Sequence, residues 1–236
     1  MTDAAAYEAW YHTPRGAWIG QQELSLLLKL MQPTHGQSLL DVGSGTGYFS
    51  RAFADAGLKV TGIDPNPDMI HFAQAQTDTV SYVQGDARQL PFADKHFDYC
   101  SAVTSLCFVD QPAKALAEMW RVSRRGIVLG LLNRNSLLYR NKYNTGSYRG
   151  ARWDDRAAVA QWIAQLTPPA TGYRYKTAVF FPGGGSLSRV AEQLLPRSLP
   201  WGGFLAVYIF RIHVIASASP RCTVTNQGRT VSCDSQ

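Results

Sequence analysis

Apolar and polar positions along residues 23–132 predict strands and helices in regular alternation. Apolar residues at i, i+3, i+4 and i+7 predict a helix over 23–31, and short apolar runs bounded by turn residues predict buried strands. The predicted strands cover 38–42, 59–63, 80–84, 97–104 and 127–132, and the later helices cover 49–56, 67–76 and 112–126. This alternation is typical of parallel βαβ units, so we expect an α/β fold with a doubly wound sheet.

The regular pattern stops after residue 132 and returns about twenty residues later. Residues 134–156 form a polar, basic and aromatic insert, and Asp154 and Asp155 are the predicted caps of the next helix. Two further strands are predicted over 173–181 and 204–215, with a short helix between them. We expect one domain over 1–216 and a polar tail over 217–236.

Composition narrows the class of protein without choosing a partner. The 236 residues are 45% hydrophobic and 17% charged, which favours a large buried core. No apolar run reaches about 18 residues and the start lacks a secretory pattern, so we expect a cytoplasmic protein without a membrane span. Residues 1–110 hold 6 Lys/Arg against 12 Asp/Glu, whereas 111–236 hold 17 against 5. The basic half fits nucleic acid, acidic lipid or an anionic small substrate.

The four cysteines carry no metal pattern. No CxxC spacing or Cys/His cluster occurs, so no metal site is predicted. Cys100 and Cys107 fall in apolar sequence, which favours buried thiols. Cys222 and Cys233 lie in the predicted tail, and a disulfide between them stays open.

The most informative motif is a glycine-rich turn between the first predicted strand and its helix. Asp41 is followed by Gly43, Gly45 and Gly47, which let a ligand approach bare backbone under exposed amides. Position 48, where a dinucleotide fingerprint needs a small residue, holds a tyrosine, and no P-loop G-K-[ST] ending follows. The spacing therefore favours a nucleoside that carries an amino acid.

Two acidic residues extend this motif along the sheet. Asp64 lies at the predicted end of the second strand, where a carboxylate can accept hydrogen bonds from both ribose hydroxyls. Asp86 follows the third strand, where it can receive the exocyclic amino group of adenine. Open α/β sheets bind ligands at the carboxyl ends of their strands, so we expect one nucleoside site there.

These motifs resemble the class I S-adenosylmethionine-dependent methyltransferases, in particular the small-molecule enzymes related to ubiquinone and menaquinone biosynthesis. The resemblance rests on residues 39–47, on 60–64 followed by Met69, on 85–87, and on 90–92 before 97–98. It implies a Rossmann-like, mostly parallel sheet of seven strands with the last strand antiparallel. It also implies S-adenosylmethionine as cofactor and a small-molecule methyl acceptor.

The resemblance carries functional roles to nine positions. It implies that Gly43 and Gly45 face the methionine moiety and that Asp41 holds its amino group. It places Asp64 on the ribose, and Met69, Asp86 and Ala87 around the adenine. The backbone of Thr104 lines the methionine end, and residues 1–35, with Tyr11, form a lid. The implied cofactor-binding residues are Tyr11, Asp41, Gly43, Gly45, Asp64, Met69, Asp86, Ala87 and Thr104.

One departure leaves the catalytic residues unassigned. Many relatives carry histidine or glutamate where Cys107 and Phe108 stand, so no general base is identified. In-line positioning of a soft or anionic nucleophile supplies most of the acceleration without one. The insert is interpreted as a substrate cover whose cationic and aromatic residues select an anionic or flat aromatic acceptor: Arg134, Arg140, Tyr143, Arg149, Arg152 and Trp153.

Three alternatives stay open on sequence grounds. The first is a protein that binds S-adenosylmethionine without catalysis, which the missing base allows. The second is a nicotinamide-dependent oxidoreductase, which the tyrosine at position 48 disfavours. The third is a nucleic-acid methyltransferase, which the basic half allows. Nucleic acid is not the expected partner, because the Asn/Asp-Pro-Pro-aromatic motif of base-modifying relatives is absent.

Overall fold

The computed structural model describes residues 4–211, which form a seven-stranded sheet with helices on both faces. The strands are β1 Ser38–Val42, β2 Lys59–Asp64, β3 Ser81–Gln84, β4 Phe97–Val103, β5 Ser123–Leu132, β6 Gly172–Ala178 and β7 Phe204–Phe210. Their order is β3-β2-β1-β4-β5-β7-β6. Strands β1 to β5 pair in parallel, and β7 runs antiparallel to both β5 and β6. The predicted doubly wound sheet with an antiparallel last strand is confirmed.

Within residues 4–211, eight α-helices connect and cover these strands. They are α1 Ala4–Tyr11, α2 Pro14–Met31, α3 Tyr48–Asp55, α4 Pro67–Gln74, α5 Pro112–Val122, α6 Leu137–Lys142, α7 Arg156–Ile163 and α8 Ser186–Leu194. Asn66 caps α4, because its side chain accepts a hydrogen bond from the Asp68 amide. Asp155 caps α7 in the same way, whereas Asp154 is buried and pairs with Arg152 instead.

The sheet separates two apolar layers. On one face, Leu39, Val60 and Val128 pack with residues of α2, α3 and α4. On the other face, Leu40 and Ile127 pack with α5 and α7. Burial of these side chains on both faces explains why the central strands read as continuous apolar runs.

Two helix boundaries differ from the sequence prediction. Helix α2 begins at Pro14 rather than residue 23, and Thr13 caps it by accepting from the Gly16 amide. Helix α5 ends at Val122, because β5 already begins at Ser123. Gly126 is therefore not the last residue of a helix. It lies in β5, where an added Cβ would stand 2.3 Å from the Ile209 carbonyl oxygen of β7.

The predicted strand over 173–181 is also shorter than expected. Strand β6 ends at Ala178, and the next two amides, of Val179 and Phe180, donate to the buried Glu192 carboxylate of α8. The predicted extension of β7 through 212–215, the predicted tail 217–236, and Cys222 and Cys233 all lie outside the described residues. Among the described helices, none combines the length and the apolar composition that a bilayer crossing requires.

Candidate functional site

A cavity of about 940 Å³ opens at the carboxyl ends of β1, β2 and β4. Strand β1 lies between β2 and β4, and the chain passes from one side of β1 to the other, which is the topological switch point of the sheet. The cavity lining brings together all nine residues implied by the resemblance: Tyr11, Asp41, Gly43, Gly45, Asp64, Met69, Asp86, Ala87 and Thr104. Their placement in one cavity follows from the parallel strands, although contact with a cofactor stays a prediction.

The glycine turn after β1 forms the floor of the cavity. Gly43 has φ +73°, and an added Cβ would lie 2.4 Å from the Ser105 Cβ. Gly45 has φ +53°, yet an added Cβ would meet nothing within 4 Å, because this residue faces the open cavity. The first glycine therefore permits close packing of β1 against the segment after β4, and the second leaves bare backbone for a ligand.

Asp64 is oriented by backbone amides at the end of β2. The Gly45 amide donates to one carboxylate oxygen at 2.9 Å, and the Asn66 amide donates to the other at 2.9 Å. These two bonds hold the half-buried carboxylate at the cavity wall beside the glycine turn. Each carboxylate oxygen keeps a further lone pair for a hydroxyl donor.

Asp41 is a buried hub below the glycine turn. The Ser50 hydroxyl of α3 donates to one oxygen at 2.6 Å, and the Ser101 hydroxyl of β4 donates to the other at 2.7 Å. Burial raises the pKa of this carboxyl, and the two hydroxyl donors oppose that rise. Asp41 thus joins β1, β4 and α3, and its predicted role toward an amino group adds to this structural one.

Two hydroxyls in the glycine turn are buried without a partner. Within the described residues, neither Ser44 Oγ nor Thr46 Oγ1 has a hydrogen-bond partner, and both residues line the cavity. Buried polar atoms in folded proteins are almost always paired, so an unpaired pair beside a cavity indicates a polar ligand.

The adenine side of the predicted site is carried by α4 and the turn after β3. Met69 projects from α4 and is half-buried, and Ala87 lies on the same cavity wall. Asp86 forms an ion pair with Arg88 at 2.6 Å. Hydrogen bonds from Arg88 lower the pKa of Asp86 to about 2, which keeps this half-exposed carboxyl ionised.

Aromatic residues of α1 and α3 close the opposite wall. Tyr11 is buried and stacks on Tyr48 with ring centroids 3.8 Å apart, and the Tyr7 and Tyr11 hydroxyls lie 3.4 Å apart. An ion pair between Glu8 and Arg51 fixes α1 over α3. The first described helix is thereby held over the cavity, next to Thr104, whose backbone has φ +50°.

Comparisons with known proteins agree with this architecture. A family model described as a methyltransferase domain matches residues 40–129. The chain is 32% identical over 164 residues to a demethylmenaquinone methyltransferase of Renibacterium salmoninarum, covering 59% of this chain and 69% of that protein. The chain belongs to the class I S-adenosylmethionine-dependent methyltransferases. As a member of this enzyme family, it takes S-adenosylmethionine as its cofactor.

Two further likenesses show how far the family resemblance extends. A malonyl-[acyl-carrier protein] O-methyltransferase of Pectobacterium atrosepticum is 38% identical over 103 residues, covering 44% of this chain but only 41% of that protein. A crystal structure of a SAM-dependent methyltransferase from Thermotoga maritima superposes with a TM-score of 0.69 at 25% identity, covering 87% of this chain and 95% of the other.

The residues of this methyltransferase fit its cofactor on physical grounds. The unpaired Ser44 and Thr46 hydroxyls and the open space at Gly45 suit a polar, elongated molecule laid across the turn. Asp64 adds a carboxylate with free lone pairs on the same wall. The contacts of each residue with the cofactor stay predictions.

The structure gives Arg134, Arg152 and Trp153 contacts within the protein, whereas the interpretation of the insert as a substrate cover stays a prediction. The Arg152 side chain donates to the carbonyls of Leu106 and Val109 and pairs with the buried Asp154, so it is a structural clamp. Trp153 is only 2% exposed, and Arg134 donates to its carbonyl oxygen. Arg140, Tyr143 and Arg149 are exposed outside the cavity lining, which the insert reaches instead through Leu138, Lys142, Thr145, Gly146, Ser147 and Tyr148.

Glu23 is a cavity residue that the sequence prediction missed. It lies on α2, is 8% exposed, and within the described residues forms no hydrogen bond or ion pair. Burial raises the pKa of this carboxyl to about 8. In a helix that begins at residue 23, as the sequence predicts, Glu23 is a polar residue of the first turn. With the helix extended to Pro14, Glu23 falls four residues before the buried Leu27, in a core-facing position.

Proposed function

We propose that this protein transfers a methyl group from S-adenosylmethionine to a small, flat aromatic acceptor bound in the same cavity. One observation carries the proposal: a single cavity joins the glycine turn and Asp64 to a wall of aromatic side chains. Its volume of about 940 Å³ is near the top of the range of about 300–1,000 Å³ for small-molecule sites. That size suits two ligands side by side.

The aromatic wall supports a flat acceptor over an anionic one. Tyr7, Trp10 and Tyr148 line the same cavity as the glycine turn, and ring faces bind flat rings by offset stacking. The guanidinium groups of Arg134 and Arg152, expected to select an anion, bind carbonyls of the protein itself. The name of the demethylmenaquinone methyltransferase also indicates that this relative acts on a quinone ring.

Positioning is the main contribution of the chain to this reaction. Bound S-adenosylmethionine supplies an electrophilic methyl group on a sulfonium, which becomes a neutral thioether when the methyl group leaves. Gly45 admits the donor close to the backbone, Asp64 fixes it at the end of β2, and the aromatic wall holds the acceptor ring. Holding two reactants in line replaces a bimolecular encounter and can supply about 7–11 kcal/mol of the barrier.

Calorimetry with S-adenosylhomocysteine tests the donor half of this proposal. We expect saturable binding to the wild-type chain and a loss of at least tenfold in affinity for Asp64→Asn, which keeps the size but removes the charge. Asp78→Asn is the matched control, because Asp78 is exposed and outside the cavity lining. No heat of binding, or equal affinity of the two variants, would contradict the proposed donor site.

Incubation with labelled S-adenosylmethionine and a panel of aromatic small molecules tests the transfer. Labelled product from an aromatic pool supports catalysis, whereas cofactor binding without product from any pool would favour the non-catalytic alternative.

We also propose a cytoplasmic location, because the cysteines among the described residues, Cys100 and Cys107, are free thiols. Cell fractionation with an antibody checks this location.

A further inference from the structure

Glu23 is an ionisable group in the cavity that the cofactor does not explain. Arg15, Ile19 and Glu23 are spaced by four residues, so they share the face of α2 that lines the cavity. Arg15 is not a partner for the carboxyl, because its Nε donates to the Pro182 carbonyl at 2.6 Å. A carboxyl that is more than nine-tenths buried and unpaired is costly to ionise, so a ligand that pairs with it gains from the contact.

Four tyrosines surround Glu23, and within the described residues no cation forms an ion pair with it. Tyr7 and Tyr11 of α1, Tyr48 of α3 and Tyr148 of the 3₁₀ turn Gly146–Tyr148 all interact electrostatically with its carboxyl. Burial raises the pKa of each of these tyrosines, so they stay neutral. Neutral aromatic rings around one carboxyl group form an enclosure that favours an organic cation over an anion.

The charge of the whole cavity points the same way. The described lining carries five acidic side chains and three basic ones: Glu23, Asp41, Asp64, Asp86 and Asp110 against Arg15, Arg88 and Lys142. Arg88 is already paired with Asp86, and Lys142 is exposed at the rim. With Glu23 protonated, the lining therefore offers an anionic acceptor no clear excess of positive charge. Ionised Glu23 would repel an anionic acceptor and pair with a cationic one.

We propose that Glu23 selects an arylalkylamine, an aliphatic amine that carries an aromatic ring, as the methyl acceptor and takes a proton from its ammonium group. In this step a bond forms between the proton and a Glu23 carboxylate oxygen, the N–H bond breaks, and its electron pair stays on nitrogen. The resulting neutral amine has the free pair that methylation requires, and Glu23 later releases the proton to solvent. This inference rests on the proposed methyltransferase function and names its acceptor class.

Binding of the amine should release a definite number of protons, which can be measured without turnover. Because burial raises the pKa of Glu23 to about 8, the free enzyme holds this carboxyl protonated at pH 6.5. Pairing with an ammonium favours the carboxylate, so binding of an amine at pH 6.5 should release close to one proton. Glu23→Gln has no proton to release, and its count should fall to zero.

Calorimetry on the chain saturated with S-adenosylhomocysteine, in two buffers of different ionisation enthalpy, measures this count. The probes are 2-phenylethylamine, 4-ethylphenol and 3-phenylpropanoate, which share a ring but carry an amine, a phenol and a carboxylate. We expect the amine to bind at least tenfold more tightly than the others, with release of one proton. In Glu23→Gln this preference should disappear, whereas Asp78→Asn should keep it.

Each outcome bears on the proposal in a definite way. Absence of amine binding, equal affinity for the three probes, or a Glu23→Gln variant with wild-type preference and proton release would overturn it. Tighter binding of 4-ethylphenol than of 2-phenylethylamine would also overturn it, and would indicate that Glu23 selects a phenol. Unchanged S-adenosylhomocysteine affinity in Glu23→Gln shows that the variant is folded, and failure of the wild type to bind that molecule would overturn the proposed function itself.

Discussion

Two glycines in the same turn have different physical reasons for being glycine. Both have positive φ, which costs about 1–2 kcal/mol for a residue with a Cβ. Only Gly43 also faces a clash, 2.4 Å from the Ser105 Cβ, whereas the Cβ position of Gly45 is open space in the cavity. A substitution of Gly43 should therefore mainly lower stability, whereas a substitution of Gly45 should mainly weaken ligand binding.

We expect Gly43→Ala to lower the free energy of unfolding by about 2–4 kcal/mol, from strain and overpacking together. We expect Gly45→Ala to lower it by only about 1–2 kcal/mol but to weaken S-adenosylhomocysteine binding at least tenfold, because its methyl group enters the ligand space. Urea unfolding and calorimetry measure the two quantities. Equal stability loss with unchanged affinity in Gly45→Ala would contradict the assignment of this residue to the cofactor.

The buried carboxyl of Glu23 should make stability depend on pH. Its pKa is raised from 4.5 to about 8, so the folded chain binds more protons than the unfolded chain between these values. The free energy of unfolding should therefore fall as the pH rises from about 4.5 to about 8, by an amount on the order of a few kcal/mol.

Glu23→Gln removes this dependence, because an amide does not titrate. Relative to wild type, the variant should gain stability steadily from pH 5 to pH 8.5, whatever the constant offset from burying an amide. Urea unfolding at a series of pH values gives the comparison, and Asp78→Asn is expected to follow the wild-type curve. Parallel curves for wild type and Glu23→Gln would show that this carboxyl has an ordinary pKa.

At the scale of elements, the insert after β5 is fastened by Arg152. Its guanidinium donates to the carbonyl oxygen of Leu106, in the 3₁₀ turn Leu106–Phe108, and to that of Val109. It also pairs with the buried Asp154, which lies just before α7. Removing the arginine leaves a carboxylate that is 1% exposed without its partner. Since the arginine itself is partly exposed, we expect Arg152→Ala to cost about 2–3 kcal/mol.

Arg149→Ala is the matched control for this prediction, because Arg149 lies on the same insert but is exposed. Its effect on stability should stay within about 0.5 kcal/mol. Thermal and urea unfolding of both variants decide between a structural and a binding role. A stable Arg152→Ala variant with weakened acceptor binding would restore the interpretation of this arginine as a selector of anions.

The central strands were predictable because their apolar runs are buried on both faces, and β1 has the predicted bounds, Ser38–Val42. The role of Arg152 in the insert was not predictable, because this residue has the character of a binding-loop arginine while its carbonyl partners lie far away in sequence, at Leu106 and Val109. The local periodicity of apolar residues predicts which positions are buried, but it does not predict which distant carbonyl oxygen accepts a hydrogen bond from an arginine. The same limit hid Glu23, whose role depends on where α2 begins.

Across the whole molecule, the charged residues of the acidic half, 1–110, and of the basic half, 111–236, occupy different places in the structure. All five acidic residues of the described cavity lining come from the first 110 residues. Arginines of the second half bind carbonyls of the protein, as Arg211 does with Ser123 and Trp120, and Arg189 with Pro14. Within the described residues, much of the basic excess is thus used inside the fold, which supports a small-molecule acceptor over nucleic acid.

Ligand binding at the switch point should stabilise the whole sheet, because the cavity joins β1, β2 and β4 to the N-terminal helices. At 100 times its dissociation constant, a ligand adds about 2.7 kcal/mol to the free energy of unfolding. For a chain of this length that corresponds to a rise in Tm of about 5–10 °C. We expect S-adenosylhomocysteine to produce such a rise, measured by differential scanning calorimetry.

The same scan with NADH distinguishes the nicotinamide alternative. A dinucleotide site needs a small residue at position 48, where the Tyr48 ring instead stacks on Tyr11 and fills the space beside Gly20. Because this ring holds α1 and α2 against α3, the position cannot open for a pyrophosphate without loss of packing. NADH should therefore leave Tm unchanged at concentrations where S-adenosylhomocysteine raises it, and an equal rise with NADH would contradict the donor site proposed for the glycine turn.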